Sequence, residues 1–273
     1  MNPPPKHPFV RPLLATEHTE FDQGAETIAF AIAARCGLAL AGVMPMVSNA
    51  EYEAAAPQLA ARADAEAGAR ADAVEAAAAQ RGVPLALRVR RGSEPYQEIV
   101  AEAREVGADL IVARRRGRRG FLANLMFGEM VGKVVAHAPC SVLLCPRAAV
   151  MWQRRVLVGV DPQQPAGATV ALAARIAAEC GIGLQIVAVA ADAASAAPVL
   201  AEAEAGARPW LADVRTEVRG GRPHEGLIAA AADCGADLIV VGRHGPGLAG
   251  RAWIGGTAQK VVGLARCPVL IQV

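Results

Sequence analysis

The chain has 273 residues, of which 53% are hydrophobic and only 4% aromatic, and its formal net charge at pH 7 is +2. Such a length suits one large domain or two ordinary ones, and the near-neutral charge does not favour a general nucleic-acid or membrane-surface binder. The sequence contains no run of about 18 apolar residues, the length that a membrane-spanning helix needs. The first eight residues also lack the apolar stretch of a signal peptide, so we predict a cytoplasmic protein.

Near the start of the first half, Leu13–Glu17 matches Leu157–Asp161 of the second half, which predicts a first strand that ends in an acidic residue, and the helix that follows ends near Cys36. A long Ala-rich helix is predicted from about Tyr52 to Gln80. The next helix runs from Pro95 to just before Gly107, because proline is tolerated in a first helical turn and glycine commonly follows a last one. The strand Leu110–Val112 comes next.

The second half has the same order of short apolar runs and Ala-rich stretches, which is the βαβ pattern of a parallel sheet. Its predicted strands are Val156–Val160, Leu184–Val189, Val214–Val218, Leu238–Val241 and Val269–Ile271. Its predicted helices are Thr169–Glu179, a broken stretch near Pro198–Leu211, Pro223–Asp233 and Thr257–Ala265.

The two halves are an internal repeat. Gly107–Val112 recurs as Gly235–Val240 at an offset of 235 − 107 = 128. The pair Cys36 and Cys180 gives 180 − 36 = 144, and the pair Cys140 and Cys267 gives 267 − 140 = 127. We therefore predict two homologous α/β domains, residues 1–149 and 150–273, each a doubly wound parallel sheet with its ligand at the carboxyl ends of the strands.

A glycine-rich loop between Gly242 and Thr257 leads from a predicted strand into a helix. Glycines let the backbone approach a ligand closely, and the free N–H groups at a helix start suit a phosphate. A glycine-rich segment also occurs where an α/β protein makes a tight turn. The loop alone therefore leaves two interpretations open, a phosphate site and a structural turn.

The spacing Gly242-x2-Gly245-x9-Gly255 resembles the phosphate loop of the ATP-binding universal stress proteins. In that family Ser or Thr follows the last glycine, whereas here Gly256 does, with Thr257 one residue later. The resemblance covers essentially the whole chain twice. It implies a five-stranded parallel sheet between helices in each domain, of the Rossmann-like, adenine nucleotide alpha hydrolase-like type.

By this resemblance, Asp161 meets the adenosine part of an adenine nucleotide and the backbone of Val189 meets adenine. Gly242, His244 and Gly245 border ribose and phosphates, and Gly255, Gly256 and Thr257 hold the phosphates at the helix start. The residues Val160 and Val241, which end their strands, complete the predicted site. Alternatives remain for two of them: Asp161 as an ordinary turn carboxylate and His244 as a solvated loop residue.

The first domain departs from the family pattern at each of these points. Arg114 replaces the first glycine, Glu17 replaces the aspartate, the loop after Gly117 is one residue longer, and Glu129 stands where Ser or Thr is expected. Like charges repel in a partly dry site, so a carboxylate there opposes a triphosphate. We predict that this half does not bind ATP in the family manner.

The run Arg114–Arg119 is the densest charge in the chain. No aromatic residues interleave with it, which favours a solvated, mobile loop over binding to nucleic-acid phosphates. An intramolecular role beside Glu129 and a regulatory anion site are the other interpretations.

The predicted function is that of a stress-response sensor or regulator that binds ATP or another adenine nucleotide. No pattern assigns an accompanying Mg²⁺, and neither a Walker motif nor a Ser-His-Asp set is present. The alternatives are an interaction module without nucleotide and a very slow ATPase. The resemblance further implies an intramolecular pseudo-dimer through the strands Ser141–Leu144 and Val269–Gln272, and a homodimer of two chains.

Overall fold

The computed structural model describes residues 7–115, 129–243 and 254–273, which form two compact units. The first unit contains β1 (Pro12–Ala15), α1 (Gln23–Cys36), β2 (Leu40–Val47), α2 (Ala50–Ala55), α3 (Pro57–Ala79), β3 (Leu85–Gly92), α4 (Pro95–Glu105), β4 (Leu110–Arg114), α5 (Glu129–His137) and β5 (Ser141–Cys145). The second contains β6 (Arg155–Val160), α6 (Gly167–Cys180), β7 (Gly183–Val189), α7 (Ala193–Ala207), β8 (Val214–Arg219), α8 (Pro223–Cys234), β9 (Leu238–Gly242), α9 (Gly256–Leu264) and β10 (Val269–Gln272).

Each unit has a sheet of five parallel strands, which confirms the predicted fold class. The strand order is β3-β2-β1-β4-β5 in the first unit and β8-β7-β6-β9-β10 in the second. The central strands are buried along their whole length, as β1 and β4 illustrate. Parallel strands with both faces covered have this continuous apolar character, and this explains why the sequence located them within a residue or two.

Left-handed glycines end several of the helices, as the sequence predicted for Gly107 and Gly235. Their φ angles are 61° and 69°, and Gly37 and Gly181 end α1 and α6 in the same conformation, with φ of 63° and 66°. Only glycine adopts this conformation without a steric cost to a Cβ. The turns that return each of these helices to the sheet are therefore encoded locally.

Two helix predictions are wrong. The single helix expected over Tyr52–Gln80 is two helices, because Ala56 has φ −138° and ψ 63° and Pro57 starts a new helix. A residue before proline is disfavoured in the helical conformation.

The break expected near Pro198 is absent, since α7 is continuous from Ala193 to Ala207 with that proline inside it. The helix starts early because the Asp192 side chain accepts a hydrogen bond from the Ser195 N–H at 2.8 Å, which caps its first turn. Among the described helices, none is both long enough and apolar enough to cross a membrane.

Candidate functional site

A cleft of about 710 Å³ lies at the carboxyl ends of β6 and β9, where the strand order of the second unit reverses. Adjacent loops diverge at such a point, which is where doubly wound folds bind ligands. Eight of the ten residues predicted for the site line this cleft: Val160, Asp161, Val189, Val241, Gly242, Gly255, Gly256 and Thr257. The other two, His244 and Gly245, lie outside the described residues.

The start of α9 forms one wall of the cleft. The first helical hydrogen bond runs from the Gln259 N–H to the Gly255 carbonyl at 3.0 Å, and no side chain caps this end. The N–H groups of Gly256, Thr257 and Ala258 therefore have no acceptor within the helix, and the helix dipole places partial positive charge beside them. This end of α9 is suited to an anionic group.

Gly242 ends β9 at the floor of the cleft. A Cβ built on it would find its nearest neighbour, the Thr169 hydroxyl, at 3.7 Å, an ordinary van der Waals distance. The Thr169 hydroxyl donates to the Gln272 side chain at 3.0 Å and is thereby held in place. A side chain at position 242 would thus fit at its base and extend into the space of the cleft.

Asp161 directly follows β6, the strand that pairs with β9. One carboxylate oxygen accepts from the Gln163 N–H at 2.9 Å, so the residue does close a local turn, as the simpler interpretation held. Its side chain nevertheless also lines the cleft. The second carboxylate oxygen has no hydrogen bond to a described residue and is suited to accept one from a ligand.

Sequence reasoning missed the basic side chains of the cleft. Arg222, His224 and Lys260 line it, together with the uncharged Pro162, Gln164 and Thr169. The signal was present, because Pro223 was correctly placed at the start of a helix after a parallel strand. Helix starts that follow parallel strands lie at the same edge of the sheet as the ligand.

The corresponding place in the first unit is occupied by Arg114. This residue was expected at the beginning of a solvated loop, which is wrong, because it ends β4 and is only 5% exposed. Its guanidinium donates to Asp22 at 3.0 Å, to Glu17 at 2.8 Å and to the Thr19 hydroxyl at 3.0 Å. Residues 116–128 and the side chain of Glu129 lie outside the described residues.

Asp22 is the partner that the sequence did not reveal. It is 1% exposed, and its Oδ2 also accepts from the N–H and the hydroxyl of Thr19 at 2.9 and 2.6 Å. At the repeat offset of 144 the corresponding residue is Ala166, since 166 − 22 = 144, and both residues are N-caps, of α1 and α6. The cavity beside Arg114 measures about 20 Å³. Arg114 and its ion pairs thus occupy the place that corresponds to Gly242, while a separate cavity of about 210 Å³ remains beside Glu17, Pro45 and Pro95.

Fold and cleft together define a doubly wound α/β protein with two homologous halves and an open cleft in the second. The model of the universal stress protein family matches residues 11–146 and 153–272. The chain therefore belongs to the universal stress protein family.

A segment of 51 residues is 49% identical to the "Universal stress protein in QAH/OAS sulfhydrylase 3'region" of Thermus aquaticus, which is 19% of this chain and 37% of that protein. The match thus spans little more than a third of that relative.

Among solved structures, a universal stress protein from Archaeoglobus fulgidus DSM 4304 is 18% identical with a TM-score of 0.74, covering 97% of this chain and 96% of its own. A putative universal stress protein from Pseudomonas aeruginosa UCBPP-PA14 is 19% identical with a TM-score of 0.70, covering 96% and 93%. These two share the fold. A universal stress protein in complex with cAMP is 27% identical over 44% of this chain and 97% of its own, with a TM-score of 0.40.

Proposed function

We propose that this protein binds one adenine nucleotide per chain, with ATP the expected ligand, in the cleft of its second unit. Binding would alter its contacts and so make it a sensor or regulator in a stress response. One observation carries the proposal: the start of α9, Asp161 and Val189 converge on an open cleft, whereas Arg114 fills the corresponding place in the first unit.

The chemistry of the cleft suits such a ligand. Its volume of about 710 Å³ is within the range of small-molecule sites. Val160, Val189 and Val241 offer apolar surface for a base, and the Asp161 carboxylate can accept hydrogen bonds from hydroxyl or amino groups. The uncapped start of α9 supplies N–H donors for phosphates.

The ion-pair network of the first unit supports the asymmetry. Two carboxylates already neutralise Arg114, so its guanidinium offers little attraction to a phosphate group. A ligand there would have to displace a buried side chain and leave Asp22 without its cation. Breaking a buried ion pair costs about 3–5 kcal/mol, which is enough to empty a site of ordinary affinity.

Isothermal titration calorimetry with ATP, ADP, AMP and cAMP tests the proposal, with native mass spectrometry of the purified protein as a second measurement. We expect one adenine nucleotide per chain. Two equivalent nucleotides would contradict the asymmetry, and no binding at all would favour the interaction module without nucleotide. Release of ADP from bound ATP, followed over hours, would identify the slow ATPase.

Gly256→Ser should strengthen nucleotide binding by several-fold. No heavy atom lies within 4 Å of a Cβ built at Gly256, so a serine fits there without displacing a neighbour. The added hydroxyl provides one more hydrogen bond to a phosphate, worth about 1 kcal/mol or roughly fivefold in affinity. Titration of the variant with ATP measures the effect.

Gly167→Ser is the matched control for this change. Gly167 is also the first residue of a helix, α6, and a Cβ there likewise has no neighbour within 4 Å, but the residue does not line the cleft. This variant should bind nucleotide as the wild type does. A weaker affinity of Gly256→Ser would show that phosphate is not bound at the start of α9.

A further inference from the structure

The wall of the cleft built by α8 contains a buried histidine without a hydrogen-bonding partner. His224 is 8% exposed and lines the cleft. Its Nε2 lies 3.8 Å from the Glu225 carboxylate, beyond hydrogen-bonding distance, and no hydrogen bond joins the ring to another described residue. The ring nitrogens therefore face the open cleft without a hydrogen bond to a described residue, which leaves them available to a ligand.

The backbone around His224 is also suited to an anion. It is the second residue of α8, after Pro223, and no side chain caps this helix. The N–H groups of His224 and Glu225 therefore lack acceptors within the helix. A Cβ at Gly226 would come within 2.8 Å of the Val189 side chain, so only glycine lets α8 approach the end of β7 so closely. This approach brings the start of α8 to the cleft.

Charges of both signs surround the ring, because Arg222 pairs with Glu225 at 3.3 Å, whereas Lys260 has no ion pair with a described residue. Lys260, one turn into α9, and Arg222, the N-cap of α8, line the same cleft. Burial, Lys260 and Arg222 lower the pKa of His224, while Glu225 opposes them. Asp161 is the only carboxylate among the described residues that line the cleft. A lowered pKa favours the neutral ring near pH 7 in the free protein, and Lys260 is left as a cation without a carboxylate partner among the described residues.

The strand β8, which also packs against α8, carries charges that pair away from the cleft. Its Arg219 pairs with Glu217 and, at 2.7 Å, with Asp233 of α8. Arg219 thus faces two carboxylates, which leaves one negative charge in excess, but none of the three residues lines the cleft.

We propose that His224, Lys260 and the first turn of α8 form a phosphate subsite in which the imidazole takes up a proton from solvent when a phosphate group binds. This rests on the proposed nucleotide function, which it deepens by naming a phosphate contact and its regulation by pH. Bound phosphate adds negative charge beside Lys260 and raises the pKa of the ring. Binding therefore consumes a proton, and affinity decreases as pH rises through the pKa of the complex.

Calorimetry in two buffers of different ionisation enthalpy measures this proton directly. At pH 7.5 the phosphate group, whose second pKa is about 6, is almost fully ionised. A change in its own ionisation on binding can therefore only release protons, whereas protonation of His224 takes one up. We expect uptake of up to one proton per bound ATP or AMP, with affinity falling by as much as about tenfold per pH unit. Adenosine, which lacks phosphate, should bind without uptake.

His224→Gln should abolish the proton uptake and bind ATP about tenfold more weakly at pH 7.5, while still binding adenosine. His224→Tyr is a second variant, because Tyr96 occupies the corresponding position of the first unit, where 224 − 96 = 128. Lys133→Met is the matched control: this lysine corresponds to Lys260, since 260 − 133 = 127, and pairs with Glu94 in the first unit. Lys133→Met should leave both ATP binding and proton uptake unchanged.

Wild-type binding of ATP without proton uptake, or equal uptake by His224→Gln, would overturn the subsite. If the wild type binds no nucleotide, the proposed function fails, and inorganic phosphate titrated alone then tests the subsite separately. Uptake with inorganic phosphate that depends on His224 would assign the subsite to free phosphate, and its absence there would refute the subsite as well.

Discussion

Gly242→Arg should lower the affinity for adenine nucleotide by at least about 100-fold, equivalent to about 2.7 kcal/mol. The reason is that the introduced arginine side chain would occupy the cleft. Arg114, at the corresponding position of the first unit, has a buried side chain that pairs with Glu17. An arginine at position 242 would extend from the end of β9 towards Asp161, the counterpart of Glu17, and would take both the space and the carboxylate that we assign to the ligand.

The fold should survive this substitution. The nearest atom to a Cβ at Gly242 is the Thr169 hydroxyl at 3.7 Å, so the backbone need not move. The second unit lacks a counterpart of Asp22, because Ala166 stands there. Adding Ala166→Asp would supply that carboxylate, and the double variant should regain any stability that the single variant loses while remaining unable to bind nucleotide.

Gly206→Arg controls for the added charge. Gly206 lies in α7, away from the residues that line the cleft, and a Cβ there has no neighbour within 4 Å. This variant should bind ATP normally in calorimetry, and circular dichroism should show that both variants are folded. Unchanged binding by Gly242→Arg would assign the nucleotide to another place in the chain.

Arg114→Ala should destabilise the first unit by about 3 kcal/mol. Asp22 is 1% exposed and would be left as a buried carboxylate without its cation. Because about 1 kcal/mol shifts the melting temperature of a chain of this size by a few degrees, the transition should fall by roughly 5–10 °C. Thermal and urea unfolding followed by circular dichroism measure the change.

Two further variants distinguish the buried network from an ordinary loss of charge. Arg62→Ala breaks an exposed helical ion pair with Glu66, whose side chains are 77% and 58% exposed, and should cost less than about 1 kcal/mol. The double variant Arg114→Ala with Asp22→Ala removes both buried charges and should be more stable than Arg114→Ala alone. Equal stability of Arg114→Ala and the wild type would show that the network contributes nothing to the fold.

The predictions that succeeded rest on local patterns. The strand Leu238–Val241 was predicted and Leu238–Gly242 is observed, because a buried parallel strand is a continuous apolar run bounded by turn residues. The predictions that failed concerned segments in which local signals compete. Pro198 suggested a break, but the Asp192 cap started the helix earlier, and the burial of Ala196 and Leu200 holds it across the proline.

The sequence by itself determined the repeat, the class of fold and the backbone of the cleft, since glycines, helix starts and strand ends are encoded by neighbouring residues. It also identified Arg114 as a departure from the family pattern. Only the tertiary structure decided what that departure does, because the partner Asp22 lies 92 positions away along the chain. The same holds for His224, whose burial and lack of a partner arise where α8 meets the cleft. The role of a polar side chain is set by its contacts in space, and the sequence around it does not contain them.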